Sequence, residues 1–112
     1  ARALHAQLAR QRQHGELDAR DYANACNELL KRLFVHGLGI DAARRVSDQR
    51  WLAMLDAMLG EPAFTRGPGQ PLGEARFTPA PTIDAAALEA LMTRLLATVS
   101  PRLRGRLAEL PT

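Results

Sequence analysis

The chain has 112 residues, 46% of them hydrophobic, and a net charge of +3. That is enough for one domain with its own core, and it excludes a disordered, highly charged polymer. A single cysteine, Cys26, excludes an internal disulfide, and no apolar run reaches the ~18 residues of a membrane helix.

Leucine and alanine dominate, which favours helix over sheet. The first segment, ARALHAQLARQRQH, places Leu4 and Leu8 on one side and meets a stop at Gly15. Its apolar face is thin and rich in arginine and glutamine. Residues 1–16 therefore read as a helical extension of something upstream, and a chain opening on Ala1 in mid-pattern reads as a fragment.

The second segment, DARDYANACNELLKRLFVH, repeats Tyr22, Cys26, Leu29, Leu30 and Leu33 at helical spacing. Asp18 is its N-cap, Leu17 and Tyr22 form a hydrophobic staple, and Gly37 is its stop. A short helical turn is predicted around Ile40–Val46. The third helix, SDQRWLAMLDAML, has Ser47 as cap and Val46 with Trp51 as staple. Trp51, Leu52, Leu55, Met58 and Leu59 supply its buried face, and Gly60 with Pro62 ends it.

The fourth helix, DAAALEALMTRLLATVS, repeats the entry signature: Asp84 caps and Ile83 pairs with Leu88. Leu91, Leu95 and Val99 continue the stripe. Pro101 is expected to break or kink the helix, leaving 100–112 as a basic tail. No run alternates as a strand would. The expected fold is all-α: one domain over residues 1–112, a compact bundle of about four helices with an ordered Gly/Pro-rich connector before the last.

That connector, GPGQPLGEARFTPAP at 67–81, invites comparison with a phosphate-binding loop. A phosphate loop needs a preceding strand and a Lys-Ser/Thr ending that opens a helix. Here a helix precedes it and no lysine is near, so the loop reads as a connector pinned by Phe64, Leu72 and Phe77. His5, His14 and His36 lack the i, i+4 pairing of a helical zinc site and read as surface residues. Cys26 falls in an apolar stripe, Ser47 is occupied in capping, and Asp48 and Asp56 are not spaced to face one another. Neither catalysis nor a cofactor or metal is expected.

Arginine supplies nearly all the positive charge, in clusters at Arg10 and Arg12, at Arg44, Arg45 and Arg50, and at Arg102, Arg104 and Arg106. Acids are interleaved and no recognition helix carries base-reading residues, so these clusters read first as solvated surface. A nucleic-acid-binding helical domain is the alternative. Arg44, Arg45 and Arg50, with Arg66 and Arg76 in the loop beside them, are the candidate contacts for an acidic protein partner.

NELLKRLFVH at 27–36, VSDQRWLAMLDAMLG at 46–60, then Phe64 with GPGQPLGEARFTP at 67–79 and a leucine-rich helix occur in a distinctive order. Together they resemble the soluble part of the bacterial domain-of-unknown-function 4381 proteins, from about residue 3 to residue 99. Matching positions include Glu28, Leu29, Leu30, Lys31, Arg32, Ser47, Trp51, Leu52, Leu55, Asp56, Phe64, Gly67, Gly69, Leu72, Phe77 and Pro79. Phe77 departs from the family's frequent tyrosine, and the tail after Pro101 departs from its pattern. The resemblance implies a cytoplasmic helical domain behind one N-terminal inner-membrane helix. It also implies work beside a MoxR-type AAA+ ATPase and von Willebrand factor A proteins, as an accessory or adaptor with no catalytic residues to carry over.

Overall fold

The computed structural model describes residues 2–73 and 83–109, excepting the side chains of 102–109. Four α-helices build it: α1 (Arg2–Gln13), α2 (Ala19–Arg32), α3 (Asp48–Leu59) and α4 (Ala85–Glu109). No strand occurs among the described residues. Helix α4 packs on all three other helices, and α1 and α2 form an antiparallel hairpin across the short turn at Gly15. The all-α expectation is met.

The predicted stripes form the core. Tyr22, Cys26, Leu30 and Phe34 from the α2 region meet Trp51, Leu52 and Leu55 of α3 and Leu88, Met92, Leu95 and Val99 of α4, all essentially inaccessible to water. Burying each large side chain contributes about 1.5–3 kcal/mol. Phe34 meets Trp51 edge to face, with centroids 5.3 Å apart, and the indole Nε1–H donates to Asn27 Oδ1 at 2.6 Å.

Two of the three caps form as expected. Asp18 accepts from the Asp21 amide at 2.8 Å and Asp84 from the Ala87 amide at 3.0 Å. Ser47 sits at the N-cap of α3 in extended conformation but makes no side-chain cap hydrogen bond. The chain enters α3 instead through Asp48 at φ 48°, a left-handed conformation that aspartate tolerates better than most residues. Gly60 closes α3 at φ 87°, as expected.

Two helix ends differ from expectation. The stop assigned to Gly37 moves on: Leu33–Gly37 form a π turn, and the left-handed residue is Gly39. The Ile40 amide then donates to the Phe34 carbonyl across it at 2.8 Å. The widened turn keeps both Leu33 and Phe34 buried. Helix α4 also continues through Pro101 to Glu109 rather than breaking. Residues 97 and 101 lie on the exposed face, where water can take the carbonyl that the missing N–H leaves.

Candidate functional site

Lys31 organises the surface on which the candidate arginines sit. Its ammonium lies 4.4 Å from the centroid of the Trp51 ring. It donates to the Ala43 carbonyl at 2.8 Å and also to the Val46 carbonyl. One cation thus ties the end of α2 to the short 3-10 turn Asp41–Arg44 and to the entry of α3. Burial lowers the pKa of Lys31 from its ordinary value.

The 3-10 turn presents Arg44 and Arg45 to solvent, each paired with Asp41, at 3.5 and 3.6 Å. Arg50 is exposed in the first turns of α3. Arg44 also borders a shallow notch of about 190 Å³ whose other walls are Lys31, Arg32, Val35 and His36. Every polar side chain in that notch is basic. Arg32 and His36 are not among the contacts expected from sequence, although their i, i+4 spacing on a helix carrying Lys31 was the available signal.

Arg66 is exposed, but its neighbour Thr65 is bound to Asp56, well along α3 from Arg50. The notch itself groups Arg44 with Arg32 and His36. Arg76 and Phe77 lie outside the described residues.

In the described part of the Gly/Pro loop, residues 67–73, four amides are engaged by nearby carbonyls. Gly69 N–H donates to Ala63, Gln70 to Gly67, Leu72 to Gly69 and Gly73 to Gln70, through the 3-10 turn Gln70–Leu72. Donors so engaged cannot cradle a phosphate. Gly69 lies against the Phe64 ring so closely that a Cβ there would come within 2.3 Å of it. Asp56 anchors the loop's start, accepting from the Phe64 amide at 2.7 Å, the Thr65 amide at 3.3 Å and the Thr65 hydroxyl at 2.5 Å.

One histidine departs from its expected surface position. His5 is buried, and its Nε2 lies 2.7 Å from the Tyr22 hydroxyl. Burial lowers its pKa below the usual value. Beside it Arg12 pairs with Glu89 of α4 at 2.5 Å, Gln13 donates to the same carboxylate at 3.0 Å, and the Arg12 guanidinium stands 5.7 Å from the Tyr22 ring centroid. Arg12 is thus a half-buried tie between helices, not a solvated charge. This polar cluster compensates for the thin apolar face of α1 and docks it on α2 and α4. Desolvation pushes the Cys26 thiol up to about 12, which leaves it protonated and a poor nucleophile at neutral pH.

A family model described as a domain of unknown function (DUF4381) matches residues 1–98. The chain belongs to the DUF4381 family. No curated protein and no solved structure matches it.

In this DUF4381 domain several of the matching positions have structural roles. Trp51 is the core indole under Lys31, Asp56 is the loop anchor, Phe64 is the plug and Gly69 gives it room. Glu28 and Arg32 are exposed instead.

Proposed function

We propose that this domain is a non-enzymatic interaction module, the cytoplasmic adaptor portion of a membrane-anchored bacterial inner-membrane protein. It would serve a MoxR-type AAA+ ATPase and its von Willebrand factor A partners. The observation that carries the reading is the notch whose polar side chains, Lys31, Arg32, His36 and Arg44, are all basic, with Arg45 and Arg50 exposed nearby in the chain. Guanidinium groups held at fixed spacing suit carboxylates on a partner, and arginine forms such contacts in bidentate geometry. The ion pairs of Arg44 and Arg45 with Asp41 are exposed and exchange readily for a partner's acid.

The test is capture of partners from the source bacterium's lysate on the immobilised domain, compared with the Arg44→Glu/Arg45→Glu variant. Retention of the ATPase or a von Willebrand factor A protein through moderate salt, and its loss in the variant, is the expected result. Equal capture by the variant overturns the patch. Recovery of nucleic acid alone, lost in salt, overturns the adaptor reading.

A further inference from the structure

The seam between α1 and α2 opens to solvent as an apolar groove of about 480 Å³. Leu8, Leu29 and Leu33 line it, and Leu4 stands at its edge. Leu4 is 57% exposed, the one large hydrophobic side chain left in water among the described residues. The rim on α2 carries Glu28 and Arg32, one helical turn apart and both exposed. Neither makes an ion pair among the described residues.

We infer that this groove is a two-fold interface between two copies of the chain. An acid followed four residues later by a base is its own complement under a two-fold axis. When α2 lies antiparallel to its copy across that turn, each Glu28 faces the other copy's Arg32. The same approach takes Leu4 and the leucines of the groove out of water on both sides. A foreign partner would have to match this charge order, whereas a second copy carries it already.

Contact through one helix face and Leu4 is small, and weak association is expected, with a dissociation constant on the order of micromolar. The inference does not rest on the adaptor reading. Arg32 borders both the groove and the basic notch, so the two are separated by the residues tested: Arg44 and Arg45 for docking, and Leu4, Glu28 and Arg32 here.

Sedimentation velocity over about 1 to about 300 µM reads the association directly. The wild-type chain is expected to shift from monomer to dimer across that range. Glu28→Arg sets two arginines against each other, Arg32→Glu two glutamates, and each weakens the dimer about tenfold or more. Mixing the two variants in equal amounts restores association, because one copy then carries only bases across the turn and the other only acids. Leu4→Ser weakens the wild-type dimer through the apolar contact alone, and Leu4 is too exposed for the change to unfold the domain. A wild-type chain that remains monomeric throughout overturns the inference. So do single charge reversals that dimerise like wild type, or a mixture that fails to pair.

Discussion

Replacing Asp56 isolates the device that holds the loop after α3. Its carboxylate accepts three hydrogen bonds, from the amides of Phe64 and Thr65 and from the Thr65 hydroxyl. Hydrogen bonds to a charged group contribute about 1.5–3 kcal/mol each, but three on one carboxylate do not add fully. Asp56→Ala also leaves two part-buried amides without their acceptor, so a net loss of about 3 kcal/mol is expected. For a chain of this length that corresponds to roughly 12 °C in Tm. Asp56→Asn keeps one acceptor oxygen for the amides and costs less, about 1 kcal/mol. Urea and thermal unfolding followed by circular dichroism measure both, and amide exchange locates the effect at Phe64 and Thr65. A double-mutant cycle with Thr65→Ala gives the coupling. An Asp56→Ala variant within about 0.5 kcal/mol of wild type, the range of an ordinary surface change, would refute the anchor.

Gly69→Ala forces a methyl group into the Phe64 ring and backbone, and should cost about 1–3 kcal/mol by overpacking, read as a lowered urea midpoint. Lys31→Met removes two hydrogen bonds and the contact with Trp51; a loss of about 2 kcal/mol is expected, with faster amide exchange at Ala43 and Val46. Burial holds the pKa of His5 below 6.5, so the unfolded chain takes up its proton first. The stability contributed by neutral His5 is present above pH 6.5 and is lost as pH falls through the folded value. Glu89, held below 4.5 chiefly by the Arg12 hydrogen bond, acts in the same direction at lower pH. Unfolding midpoints should therefore fall on acidification, and His5→Gln should flatten the upper part of that slope; an unchanged slope would exclude His5 as its source.

The parts legible in the sequence were those fixed by local spacing. Asp18 and Asp84 cap because an N-cap is read from four neighbouring residues, and the stripes through Leu30, Leu55 and Leu95 follow from helical periodicity alone. The failures share a different cause. His5 looked solvated because its partner Tyr22 lies seventeen residues away on another helix, and Glu89, which shares the cluster, is farther still. A polar residue on a thin apolar face is ambiguous until its neighbours are known: alone it weakens a helix's docking, and hydrogen-bonded it provides it. The surface obeys the same logic. Arg44, Arg45 and Arg50 are legible as a local cluster, whereas Arg32 and His36 meet Arg44 only through the fold, where the Lys31 tie brings the 3-10 turn back on α2. The charge around this notch is therefore assembled by tertiary contacts, and the most informative residue for this surface is Lys31, which is not itself one of the expected contacts.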